Sequence, residues 1–86
     1  METRIDAETT QLLTFAESLA EVGRHICLEA MQRNPKVQIK PDKSFVTETD
    51  LAIEARLREM IDSAYPNHGV LGEEYGNRDI DQDYVW

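Results

Sequence analysis

Three short stretches of this sequence carry side chains whose types and spacing could do chemistry. The first is Gly72-Glu73-Glu74, which follows the apolar pair Val70-Leu71. If that pair is a buried strand that continues, the two adjacent carboxylates point to opposite faces, so one can face a site while the other faces solvent or another layer. The glycine lets the backbone approach a bound ion closely. Magnesium takes one or two carboxylates and completes a near-octahedral shell with waters and substrate phosphate oxygens. The second stretch, Val46-Thr47-Glu48-Thr49-Asp50, stands where a helix begins. A carboxylate there is held in a fixed orientation by the helix N-terminus. The third, Lys40-Pro41-Asp42-Lys43-Ser44, offers lysines that could reach a phosphate or a carboxylate. Each stretch has a plainer reading beside it: a solvated strand end, a helix cap and a solvated turn.

Other reactive side chains make weaker cases. Cys27 is the only cysteine, and its helical spacing predicts a small buried core residue rather than a reactive thiol. His25 and His68 have no metal-ligand spacing with it and are expected at the surface. The run Asp79-Ile80-Asp81-Gln82-Asp83 imitates the start of a calcium loop, but Tyr84 stands where glycine is needed. An acidic solvated loop is the better description. Tyr65, Tyr75, Tyr84 and Trp86 are not interleaved with basic residues, so they form no stacking platform for bases.

The elements that must position these residues are legible from periodicity. A long helix is predicted over about residues 6–32, with Leu12, Phe15, Ala16, Leu19, Ile26 and Ala30 forming an apolar stripe and Asn34-Pro35 closing it. Gly23 interrupts the pattern and suggests close packing against a neighbouring element. Val37-Gln38-Ile39-Lys40 alternates as a short strand does, and Phe45-Val46 is expected to pair back onto it as a hairpin. A second helix starts at Thr47, followed three residues later by Asp50 in the manner of a capping box, with Thr49 as an alternative cap. Ile53, Leu57, Met60, Ile61 and Ala64 form its predicted buried face, and Glu54 and Arg58 pair on the outside. Tyr65-Pro66-Asn67-His68-Gly69 ends it. Tyr84-Val85-Trp86 reads as the opening of another strand with an exposed edge, at which the chain stops without cap, turn or polar tail. That points to a segment of a longer polypeptide. The expected fold is α+β: two amphipathic helices on a small antiparallel sheet, one incomplete domain over residues 1–86.

Composition narrows the class of function. With 41% hydrophobic and 30% charged residues the chain is an ordinary globular protein. Its 86 residues bury only about 60–65% of the unfolded surface, too little for a deep cleft with its own walls. The formal charge of -8, from 17 acidic and 9 basic residues, repels phosphate backbones and speaks against nucleic acid as a partner. No run approaches the about 20 apolar residues of a membrane span, and no basic and then apolar leader opens the chain. With its single cysteine, the sequence suggests a reducing, cytoplasmic setting.

Taken together, a lysine-bearing turn, Val-Thr-x-x-Asp opening an amphipathic helix, Tyr-Pro-x-His and Leu-Gly-Glu-Glu resemble the N-terminal third of the inositol monophosphatase family, from about Lys40 to Gly76. The resemblance implies that the chain is the N-terminal part of a layered α/β/α/β/α sandwich. It further implies a magnesium-dependent phosphomonoesterase that hydrolyses a small phosphorylated substrate with metal-activated water. Glu73 matches the glutamate that ligates magnesium and helps position that water. Asp50 matches the aspartate that bonds a threonine beyond Trp86, the pair helping to activate the water. Glu74 matches a neighbour that is usually not a direct ligand, and Lys40 looks like the lysine of a mobile loop near the active site. The resemblance also implies that the remaining ligands lie in an Asp-Pro-x-Asp-Gly segment outside these residues, so the chain alone is expected to be inactive. Inositol phosphate is the family's default substrate, with histidinol phosphate, sugar bisphosphates and 3′-phosphorylated nucleotides as alternatives. The open strand edge suggests a homo-oligomer. A rival of a different class is a small non-catalytic protein that associates through that edge.

Overall fold

The computed structural model describes residues 6–33, 37–39 and 45–86. Along the chain run α1 (Ala7–Ala30), β1 (Val37–Ile39), β2 (Phe45–Thr47) and α2 (Glu48–Ala64). The first helix begins because the Asp6 side chain accepts a hydrogen bond from Thr9 N at 2.7 Å, and Glu8 complements the dipole in its first turn. It ends at Ala30, where Met31 N donates to the Cys27 carbonyl and two tighter turns follow through Gln32 and Arg33. Asn34 and Pro35 lie outside the described residues.

The second helix starts on a full capping box. Thr47 is in extended backbone, its hydroxyl accepts from Asp50 N at 3.2 Å, and Asp50 Oδ2 accepts from Thr47 N at 2.9 Å. At the other end Tyr65 N still donates to the Ile61 carbonyl, but Pro66 cannot continue the ladder.

Helix packs on helix. Leu19 of α1, Ile61 of α2 and Val70 form the buried centre, with Phe15, Leu57, Met60 and Trp86 packed against it. Gly23 faces Ile53 across this contact. A Cβ on Gly23 would lie 3.8 Å from Ile53 Cγ2, an ordinary contact, so the helices do not need glycine there to approach.

The expected α+β arrangement of two helices on a small antiparallel sheet is overturned. Between named strands, the described residues contain only the ribbon of β1 and β2, with Val37 opposite Thr47 and Ile39 opposite Phe45. It leads directly into α2 and forms no layer beneath the helices. The reason is area: strands of three residues cannot cover the apolar stripes of helices of 24 and 17 residues, which therefore cover each other.

Beyond α2 the chain returns to the core through isolated bridges. Val70 exchanges both backbone hydrogen bonds with Arg78, at 2.7 and 2.8 Å. On its other edge Gly69 N donates to the Tyr84 carbonyl and Leu71 N to the Trp86 carbonyl, in parallel register. The edge expected to be open at 84–86 is thus paired along the side that meets 69–71. Gly69 must be glycine, because a Cβ there would lie 2.8 Å from the Asp79 carbonyl carbon and run into its oxygen. Three burial expectations also fail: Cys27 and Ala64 are exposed, and of Val70-Leu71 only Val70 is buried.

Candidate functional site

The inner face of α2 and the chain that follows it border a cavity of about 390 Å³ that is open to solvent. Asp50, Glu54 and Arg58 line it at four-residue steps, which places them on one stripe of the helix. Gly72, Glu73 and Glu74 form the facing wall, while Leu19, Ile61, Val70 and Trp86 supply apolar lining. Asp50 and Glu73, singled out separately from the sequence, therefore line the same cavity.

Asp50 owes its position to the capping box, in which Oδ2 accepts from both the backbone and the hydroxyl of Thr47. Glu73 is exposed and sits in a bend rather than in a continuing strand, so the alternation of a strand does not apply and both it and Glu74 line the cavity. Lys40 lies outside the described residues.

The groups that hold this bend are Glu54 and Arg58. Their side chains are each 16% exposed, so the pair expected on the outer face of α2 is mostly covered. Glu54 Oε1 accepts from Glu74 N at 2.8 Å, and Oε2 accepts from Tyr75 N at 2.8 Å and from Arg58 Nε at 3.0 Å. Arg58 also donates to the Gly76 carbonyl. Burial by itself pushes the Glu54 carboxyl up, but the two backbone N–H groups and Arg58 outweigh it and hold it below the usual carboxylate range. Gly72 N donates to Asn77 Oδ1, and Gly76 takes the left-handed conformation that closes the turn. The sequence signal for this clamp was the four-residue spacing of Asp50, Glu54 and Arg58. What the pair reaches, about 20 residues further on, has no local signature.

An aromatic cluster stands behind the cavity. The Trp86 indole N–H donates to His68 Nδ1 at 3.0 Å, which requires that nitrogen to be unprotonated. The His68 ring stacks on Tyr65 at 4.6 Å, and Phe15 meets Tyr65 and Trp86 edge-on. His68 was expected at the surface, yet it is half-buried as a bridge between α2 and the end of the chain.

The described residues contain no group of three or more His, Cys, Asp or Glu side chains arranged to hold a metal ion. Asp50 and Glu73 are contributions to a shared cavity rather than a complete cation site. With this geometry in view, similarity decides the kinship: residues 8–86 match the sequence pattern of the Inositol monophosphatase family. The chain belongs to the inositol monophosphatase family. It is 34% identical over 90 residues to Phosphatase IMPL1, chloroplastic, of Arabidopsis thaliana, covering 96% of this chain and 24% of that protein. It is 33% identical over 76 residues to the Fructose-1,6-bisphosphatase/inositol-1-monophosphatase of Aquifex aeolicus (strain VF5), covering 86% of this chain and 29% of that protein. The chain thus spans about a quarter of the length of these curated relatives. Both relatives are phosphatases by name. This inositol monophosphatase family member has, among its described residues, no helix long and apolar enough to cross a membrane.

Proposed function

We propose that this chain is the N-terminal segment of a magnesium-dependent phosphomonoesterase acting on a small phosphorylated substrate such as an inositol monophosphate. The observation that carries the proposal is the shared cavity of Asp50 and Glu73 in a chain of this family. Magnesium, when bound, polarises the phosphoryl oxygens, lowers the pKa of a bound water and stabilises the leaving alkoxide. Glu73 supplies one carboxylate ligand from the bend after Val70 and orients the water that attacks phosphorus. Asp50, locked at the first turn of α2, accepts a hydrogen bond from a hydroxyl group contributed by the rest of the protein. Its Oδ1, which the capping box does not use, is the oxygen suited to this. Glu74 supports the bend through its backbone, and Lys40 serves the loop that approaches the substrate.

The test is a phosphate-release assay with magnesium on the 86-residue chain and on a form extended past Trp86 to the length of its relatives. Activity is expected only in the longer form. There, Glu73→Gln and Asp50→Asn each lower kcat roughly 100-fold or more. Parental rates in both variants would sink the assignment. Inositol 1-phosphate, fructose 1,6-bisphosphate and histidinol phosphate belong in the substrate panel. The second is motivated by the Aquifex relative's name, the third by Leu71-Gly72-Glu73-Glu74-Tyr75-Gly76 followed by Tyr84-Val85-Trp86. If no longer form hydrolyses any of them, the non-catalytic rival stands instead. A cytoplasmic location and a homo-oligomer complete the proposal. Light scattering on the longer form checks the second, for which the exposed Leu13, Leu28 and Met31 offer contact area.

A further inference from the structure

We propose that Glu54 and Arg58 are positioning residues that fix the Glu73 carboxylate for its cation by gripping the backbone on either side of it. This rests on the reading of Glu73 as a metal ligand. An exposed glutamate–arginine pair one helical turn apart contributes little and leaves both side chains mobile. Here the pair is largely covered, and each carboxylate oxygen of Glu54 is committed to the bend through Glu74 N and Tyr75 N, both at 2.8 Å. Hydrogen bonds to an ionised acceptor are about twice as strong as neutral ones. Arg58 closes the other end by donating to the Gly76 carbonyl.

Residue 73 is therefore held from both sides. Ahead of it, Gly72 lies so close to the clamp that a Cβ would come within 2.7 Å of Glu54 Oε2 and 2.9 Å of the Gly76 carbonyl oxygen. Behind it, the N–H of Glu74 is fixed. Only the side-chain torsions of Glu73 remain to be ordered when a cation binds, so less entropy is lost than from a free loop. The pair also keeps electrostatic order. Engaged with Glu54 and the Gly76 carbonyl, the guanidinium is restrained from pairing with Glu73 and displacing its cation.

The experiment uses the form extended past Trp86 to the length of the relatives, with Mn2+ as the probe and free Mn2+ counted by its electron paramagnetic resonance signal. Glu73→Gln is the control for the underlying reading. If it leaves Mn2+ binding unchanged, Glu73 is no ligand and the clamp proposal falls with it. Where Glu73→Gln weakens binding, Glu54→Gln decides the clamp. The expected result is a Kd raised roughly tenfold with the number of sites unchanged, the usual effect of removing a group that orients a metal ligand. A merely structural role gives the opposite split, fewer competent sites at an unchanged Kd, and overturns the proposal while leaving the metal reading intact. Should Glu54→Gln fail to fold, Arg58→Lys decides. It keeps a cation beside Glu54 but loses the fork that reaches Gly76, so a smaller rise in Kd supports the clamp and an unchanged Kd overturns it.

Discussion

At Glu54 a single carboxylate does two jobs, neutralising Arg58 inside the cavity wall and capping the backbone of the 72–76 bend. Its folded pKa lies below the ordinary value of 4.5, so it stabilises the folded state above that pH and ceases to do so as pH falls through its lowered folded value. Amide exchange of Glu74 and Tyr75 followed by NMR should show this protection fading below about pH 4.5. Glu54→Gln should abolish the pH dependence while leaving exchange fast throughout. Persistent protection at acid pH would remove the carboxylate from the account. Gly72 is the second sensitive residue. Gly72→Ala forces a methyl against the Gly76 carbonyl and the Arg58 guanidinium, and should destabilise by about 1–3 kcal/mol in urea unfolding.

Helices rather than a sheet carry the architecture, and each is started by a local device. In α2 the capping box serves stability and the site at once, since the Asp50 carboxylate that completes it also lines the cavity. Such a box is legible in Thr47 and Asp50 because it spans a single turn. In α1 the periodic stripe correctly nominated Leu19 and Ala30 for burial but not Cys27, which lies on the exposed side. The glycine at position 23 marks no close approach, since there is room for a methyl against Ile53. Gly23→Ala should therefore stabilise by about 0.5–1 kcal/mol, through helix propensity and a less flexible unfolded chain. A lower midpoint in urea for this variant would mean the helices approach more closely than 3.8 Å allows.

Over the whole molecule the striped helices form an elongated body. The radius of gyration is 15.4 Å, against about 12 Å expected of a compact chain this long. Among the described residues only Leu19, Ala30, Ile61 and Val70 are buried apolar side chains, while Leu13, Met31 and Leu71 are more than half exposed. The last residues matter out of proportion to their number, because Trp86 joins both helices to His68 and lines the cavity. Trp86→Phe keeps much of the apolar contact but loses the indole N–H, leaving His68 Nδ1 without that donor. A loss of about 1 kcal/mol or more is expected by thermal unfolding. An unchanged midpoint would reduce the indole–imidazole bond to a passive contact.

Helix positions and the capping box were available from the order of the residues, because each depends on side chains within a turn or two. Asp50 and Glu73 were legible singly as chemistry-bearing residues, and the order of the motifs from about Lys40 to Gly76 pointed to the family. Tertiary structure alone decided that α1 and α2 cover each other rather than a sheet, and that His68 is half-buried under Trp86. It also turned Glu54 and Arg58 inward onto a bend about 20 residues away. The physical reason is the same in each case. Helical spacing tells which side chains share a stripe, but which stripe is covered depends on the apolar area and the unpaired backbone N–H groups that a distant part of the chain brings to it.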